Sequence, residues 1–173
     1  MLQLSSAFAK KAIMSLRTGA PVAYITSPII DPNNLKIEGF YCQDSMSKET
    51  LILLYQDIRE LLPQGFVVDD HDVLAKPGEL IRLRDLLDLN FQLPGMPVET
   101  QEKEKIGKVS DYATEIETMY IQKLYVSRSV FKSLSTGQLS VDRNQIIEIT
   151  QKRVIINDPL QGKPAAATAA SIA

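Results

Sequence analysis

Residues 94–100 read PGMPVET, and residues 18–24 read TGAPVAY. Both words contain a glycine, one variable residue, then Pro-Val. In each, the glycine (Gly95, Gly19) suits a turn. The proline (Pro97, Pro21) suits the first residue of a strand, where a missing N–H is tolerated, and the valine (Val98, Val22) is expected in a core. Sliding the second half of the chain onto the first extends the match. Lys36-Ile37 falls on Lys105-Ile106, Leu54-Tyr55 on Leu124-Tyr125, and Val68-Asp69 on Val141-Asp142. The matches keep their order, and the offset drifts only where a loop could change length. A duplicated unit explains this better than chance.

Each unit reads mainly as strands. KIGKVSDYATEIET alternates from Ile106 through Val109, Tyr112 and Ile116, with a slip near Gly107 that predicts a bulge. MYIQKLYVS continues the pattern, and QIIEIT and RVIIND form a further pair around a QK turn. In the first unit PVAYITSPII, LKIEGFYCQ and TLILLYQ are strands, and DPNN is a turn. IRELLPQG and SVFKSLSTGQ are expected as matching helical turns. LIRLRDLLDLNF places Leu83, Leu86, Leu87 and Leu89 at near-helical spacing and is expected to bridge the units. The predicted fold is therefore mainly β: a first small barrel over 14–84, a linker helix over 85–90 and a second barrel over 91–158. The tail over 159–173 lacks periodicity and is expected to be disordered.

Composition narrows the function classes. The 173 residues are 45% hydrophobic with net charge −2. That balance fits a globular chain without the strong field of a nucleic-acid binder. Cys42 is the only cysteine, so no internal disulfide forms, which fits a reducing, cytoplasmic compartment. No apolar run is long enough for a membrane helix. The basic, acid-free start, with Lys10, Lys11 and Arg17 before Asp31, has the composition of a transit peptide. The first repeat begins near Leu16, however, so this segment is expected to be a structural strand or short helix.

With its repeat, the chain resembles the PRC-barrel family in tandem copies. The family's hairpin pattern, G-x-x-(I/L)-G-x-V-x-D, is met best by EKIGKVSDY, through Ile106, Gly107, Val109 and Asp111. LRTGAPV and QLPGMPV stand at the two openings. The first unit departs from the pattern, with KIEGFYCQ opposite KIGKVSDY, so that Glu38 stands at the Gly107 position. The resemblance covers roughly residues 14–158. Family members include the cytoplasmic barrel of the reaction-centre H subunit and the C-terminal barrel of a ribosome maturation factor. It implies a non-catalytic protein-interaction or assembly module without a cofactor or small-molecule substrate. An RNA- or ribosome-associated factor is the alternative.

Candidate chemistry is sparse. Asp69, Asp70, His71 and Asp72 could ligate a hard cation, although their spacing fits no standard calcium loop. The matched turn, VDRNQ, lacks the cluster, and a solvated turn is the expectation. Cys42 on an apolar strand reads as a small buried hydrophobe. The charged run Glu99, Glu102, Lys103, Glu104, Lys105 and Lys108 reads as a solvated turn. Tyr112, Tyr120 and Tyr125, with Lys123, Arg128 and Lys132, could stack on single-stranded RNA, although alternation separates some of them.

Overall fold

The structure, a computed structural model, describes residues 1–128 and 137–159. The helical turn expected over 129–137 lies, apart from Gly137, outside the described residues, as does the tail from 160 onward.

Two sheets are built in sequence order. The first contains β2 (Ala12–Ser15), β3 (Pro21–Asp31), β4 (Lys36–Asp44), β5 (Thr50–Leu54), β6 (Glu60–Leu62) and β7 (Gly65–Val68), in the spatial order β5-β4-β3-β2-β7-β6. The second contains β8 (Pro97–Thr100), β9 (Lys105–Glu115), β10 (Ile121–Ser127), β11 (Gln138–Asp142), β12 (Ile146–Ile149) and β13 (Val154–Ile156), in the order β11-β10-β9-β8-β13-β12. Strand for strand these orders are the same. In each sheet one ladder is parallel, β2 on β7 and β8 on β13, and the others are antiparallel.

The duplication extends to the irregularities. Between β2 and β3 the register skips Val22, and between β8 and β9 it skips Ile106. Between β3 and β4 it skips Thr26 and Glu38, and between β9 and β10 it skips Ser110 and Gln122. A bulge bends and twists a strand, so three bulges at matching places give both sheets the same curvature. Residues with positive φ also come in mates: Lys10 and Gly95, Gly19 and Lys103, Leu35 and Met119.

These registers correct the pairing suggested by the sequence words. Pro21-Val22 opens β3, the second strand of its sheet, whereas Pro97-Val98 opens β8, the first of its own. The two glycines are not counterparts: each is answered by a lysine. Gly107 corresponds to Ala23, not to Glu38, and the VDRNQ turn corresponds to residues 53–57, not to 68–72. The equivalent pairs are Phe8 with Leu93, Ile25 with Val109, Cys42 with Val126, and Phe66 with Val154. What is preserved is burial and backbone geometry, while identity at these positions has changed.

Three other expectations change. The sheets are not closed barrels. The outer edge of β5 is taken by Ala75, through Ile52 N–H to Ala75 C=O (2.8 Å) and Ala75 N–H to Ile52 C=O (3.0 Å), and among the described residues the three-residue β6 pairs only with β7. Closure needs end strands that pair along a consistent stagger. IRELLPQG forms the β6–β7 hairpin rather than a helical turn, because Leu61 pairs with Phe66 across the Pro63-Gln64 turn. The N-terminal segment is structural but belongs to both sheets. β1 (Leu2–Leu4) pairs with the end of β9, and a 3-10 turn (Ser5–Ala7) leads to Phe8, buried beneath the first sheet.

Between the sheets run 3-10 turns at His71–Val73, Pro77–Glu79 and Ile81–Leu83, then one short helix, α1 (Arg84–Leu89). Asn90, in the left-handed region, ends it. The buried core is one cluster drawn from both sheets, from Phe8, Ile13, Phe40 and Phe66 to Val98, Tyr112, Leu124 and Val154. No helix among the described residues is long and apolar enough to cross a membrane.

Candidate functional site

The site that the duplicated fold builds is the seam between the sheets. Its foundation is the tip of each long hairpin. At the β3–β4 tip, Asp31 accepts the Asn33 N–H (2.9 Å) and Asn34 accepts the Lys36 N–H (3.0 Å). These are the local bonds that make Asp and Asn turn formers. At the β9–β10 tip, Thr118 Oγ1 occupies the place of Asn34 and faces the Tyr120 N–H. Each tip then puts a buried apolar residue in the left-handed region, Leu35 (φ 50°) and Met119 (φ 59°). That conformation costs a side-chain-bearing residue about 1–2 kcal/mol, here set against burial of a large apolar side chain.

The left-handed residues turn their carbonyls across the seam. Ile37 N–H donates to the Met119 carbonyl (2.9 Å), and Ile121 N–H donates to the Leu35 carbonyl (2.8 Å). Leu35 is the mate of Met119 and Ile37 of Ile121, so the contact is reciprocal, as across a two-fold axis. Lys36 and Tyr120, the residues between, face each other as an isolated antiparallel bridge.

Side chains extend this bridge into a ladder. Lys36 Nζ lies 5.1 Å from the Tyr55 ring centre and 5.8 Å from that of Tyr120. The Arg143 guanidinium lies 5.0 Å over the other neighbour of the series, the Tyr120 ring. The order is Tyr55, Lys36, Tyr120, Arg143, and the pseudo-two-fold exchanges the two inner and the two outer residues. Both outer members reach across. Tyr55 Oη donates to the Glu117 carbonyl. Arg143 donates to the carbonyls of Leu35 (3.3 Å), Ile121 (2.9 Å) and Asn34. Tyr55 and Arg143 both begin the 3-10 turns (Tyr55–Asp57, Arg143–Gln145) that follow β5 and β11.

The segments that precede each sheet are exchanged as well. β1 precedes the first sheet and pairs with β9 of the second: Leu2 opposite Glu115, Leu4 opposite Ala113. The Met1 amino group pairs with the Glu115 carboxylate, and Asp111 accepts from the Ser5 N–H and hydroxyl. α1 precedes the second sheet and lies against β3 of the first. A groove of about 610 Å³, lined by Lys36, Glu38, Tyr55, Leu80 and Arg82 among others, flanks one end of the ladder. Its counterpart, about 640 Å³ and lined by Leu2, Gln122, Lys123, Asp142, Arg143 and Asn144, flanks the other. Chemically, the seam clasps and presents cations and rings.

The acidic cluster over 69–72 is dispersed by its partners. Asp69 takes a two-pronged bond from Arg59 (2.8 and 2.6 Å), which holds its carboxyl below the ordinary range. Asp70 accepts from the Ser15 hydroxyl (3.0 Å) and pairs with Arg17 (3.0 Å). His71 turns to Asp44 on the end of β4, while Asp72 is exposed. Asp44 is buried and also accepts from the Met46 and Ser47 N–H groups (2.8 Å each). The His71 bond first, then these amides, holds its carboxyl well below the usual range. Among the described residues no three His, Cys, Asp or Glu side chains converge to hold a metal.

Cys42 is fully buried, and burial pushes its thiol up to about 12, far from a nucleophile's range. The residues considered for RNA stacking have separate placements. Tyr112 is a core residue, Tyr120 is inside the ladder, Lys123 pairs with Asp142 (3.2 Å), and Lys132 lies outside the described residues. Of the charged run, Glu99 pairs with Arg153 (3.1 Å), and Lys103 takes the positive-φ position of the β8–β9 turn. Lys36, Tyr55 and Arg143 entered the sequence reading only as repeat and turn residues, not as functional ones. The signal that could have found them is the equal placement of each behind a turn, once the correct register is known. No protein-family model matches this chain, and no curated protein matches it.

Proposed function

We propose that this chain is a non-catalytic assembly module, a tandem PRC-barrel-like platform that holds two equivalent β surfaces in fixed relation for a protein partner. The observation that carries this reading is the reciprocal seam. Ile37–Met119 and Ile121–Leu35 bonds, the four-membered ladder and the exchanged β1 and α1 join two like sheets through one core. Two like surfaces held at a set spacing gain avidity for a partner that touches both, because the second contact forms at high effective concentration. Strand edges supply the main-chain groups that partners use in strand addition. A cytoplasmic setting belongs to the same proposal, since a single buried thiol needs no oxidising compartment.

Affinity purification of the whole chain at low and at moderate salt, with mass spectrometry and nucleic-acid staining, tests the reading. The expected result is a reproducible protein partner retained at moderate salt and lost when Lys36 and Arg143 are both changed to Ala. RNA recovered only at low salt would replace the reading with a phosphate-binding one, because counterion release makes such binding steeply salt-dependent. A chain that stays monomeric and retains no protein at either salt would overturn it.

A further inference from the structure

Two three-residue strands of this fold show opposite burial. β13 turns Val154 and Ile156 into the core and leaves Ile155 half-buried between them. β1 does the reverse. Leu2 and Leu4 are 47% and 44% exposed, while Gln3 between them is partly buried. Gln3 stands opposite Thr114 of β9, which is fully buried, and residues opposite each other in a ladder share a face. Alternation along β1 is therefore inverted, with a polar residue inward and two leucines outward. A slip of one residue would reverse this, so burial of the leucines is not what sets the register. It is held instead at the end of the strand, where Asp111 accepts from the Ser5 N–H and hydroxyl.

The inward pair is also poorly matched. Gln3 Oε1 and Thr114 Oγ1 are shut from solvent, and among the described residues neither has a hydrogen-bond partner. Each such atom has lost its water without compensation, which weakens the contact that buries it. The firm anchor lies on one side only. After the 3-10 turn (Ser5–Ala7), Phe8 is buried against Phe40 and Phe66, so the chain can hinge at the turn and lift residues 2–4 without moving Phe8. The seam bonds of Ile37 and Ile121 do not involve β1, so the sheets stay joined when it lifts. Beneath it lies β9. Glu115 N–H donates to the Tyr120 carbonyl (2.9 Å), and Ile116 N–H to the Met1 carbonyl (3.1 Å). Antiparallel alternation puts the Thr114 N–H on the β1 side with that of Ile116.

We propose that β1 is a displaceable strap, and that the β9 edge beneath it, residues 113–116, is a strand-addition site for an extended segment of a protein partner. That segment presents a serine or threonine opposite Thr114 and polar residues on either side of it. A hydroxyl at the inward position bonds the Thr114 hydroxyl, which Gln3 leaves unsatisfied, and the polar neighbours take the exposed positions of Leu2 and Leu4. Main-chain bonds to Thr114 and Ile116 supply the affinity, and the inward hydroxyl supplies the selectivity. This inference rests on the reading of the chain as a platform for a partner and names one of its contacts. Its test uses peptides of known sequence, so its failure is distinguishable from failure of the whole chain to retain a partner.

Amide hydrogen exchange in the full chain, read residue by residue and corrected for intrinsic rates, tests this. Thr114 and Ile116 should exchange roughly tenfold faster than Glu115, because lifting β1 frees the first two and leaves the third bonded to Tyr120. Gln3→Thr should slow both by roughly tenfold, the scale of one unmade hydrogen bond, and Gln3→Val by less. Gln3→Pro, which cannot donate to the ladder, should strip both of protection while Glu115 keeps its own. That variant then receives, at millimolar concentration, a peptide of residues 1–7, either unchanged or carrying Leu2→Lys, Gln3→Thr and Leu4→Lys. The substituted peptide should restore protection at Thr114 and Ile116, and the unchanged one should restore less. Equal exchange at Thr114, Glu115 and Ile116 in the unaltered chain would overturn the strap. Protection restored by neither peptide would overturn the strand-addition site. Equal restoration by both, or equal slowing by Gln3→Val and Gln3→Thr, would overturn the hydroxyl-bearing partner strand.

Discussion

The first sheet fills its core with rings and the second with branched aliphatics. Phe8, Phe40 and Phe66 stack with centroids 5.5, 6.2 and 4.9 Å apart, while their counterparts are Leu93, Leu124 and Val154. The second sheet puts its large buried ring elsewhere, at Tyr112, opposite Leu124 in the ladder, where the first has Pro28 opposite Phe40. Strand order and bulge positions survive this exchange. The backbone scheme therefore tolerates two different packings, provided the volume lost at one position returns at another.

The largest expected effect breaks the first packing. Phe40→Ala should lower unfolding stability in urea by about 3–5 kcal/mol. Because the core is one cluster, both sheets should unfold together in that variant. Loss of the first sheet alone would show two independent cores.

Next comes a paired test at one position of the scheme. A Cβ on Gly107 would sit 2.0 Å from the Ser127 carbonyl oxygen, whereas its counterpart Ala23 carries a Cβ in a fully buried site. Gly107→Ala should cost about 1–3 kcal/mol by overpacking, and Ala23→Gly roughly 1 kcal/mol by backbone entropy and lost packing. Equal effects in denaturant titrations would mean that β9 shifts freely to make room.

The seam sharpens the comparison through its unlike ends. Arg143→Ala removes charged donors from three carbonyls and should cost roughly 2 kcal/mol, against roughly 1 kcal/mol for Tyr55→Phe, which removes one neutral donor. Thermal or urea unfolding of both variants checks the ranking.

Acid should separate the sheets, since Asp44 on β4 corresponds to Arg128 beyond β10. The Asp44 pKa is lowered in the folded chain. Its contribution is therefore fully present above the ordinary carboxylate value of about 4 and is lost as pH falls below it toward the depressed value. Amides of 44–49 should open before those of 121–127 as pH falls from 4 to 2, and Asp44→Asn should flatten this dependence. An acid response equal in both sheets would place its cause elsewhere.

The smallest effect concerns the mated turns. Lys103→Gly at φ 66° should stabilise the chain by roughly 0.5–1 kcal/mol, since glycine enters the left-handed region without steric cost. Gly95→Lys, the mate of Lys10, should cost a similar amount.

Strands and turns were legible in the sequence because alternation and turn residues are local signals: Ile106 to Tyr112, the DPNN turn and the Gly107 bulge all act through near neighbours. The register of the duplication was not. The visible identities, Gly19 with Gly95 and Val68 with Val141, fall on positions that are not equivalent. True equivalents such as Lys10 with Gly95 or Leu35 with Met119 share φ and burial, which no letter records. Closure was misjudged because it depends on which segment takes the edge of β5, a contact between residues 52 and 75. The seam was hidden for a similar reason. Its central pair, Lys36 and Tyr120, shares no chemistry and is linked only by equal position in two hairpins.

The central claim is that two like sheets are locked as one body through reciprocal contacts. Amide exchange at Ile37 and Ile121 tests it most directly. Both should exchange only with global unfolding, at equal free energies, and both should accelerate together in Arg143→Ala. Fast exchange at either residue in the unaltered chain, or acceleration of one without the other, would contradict the account.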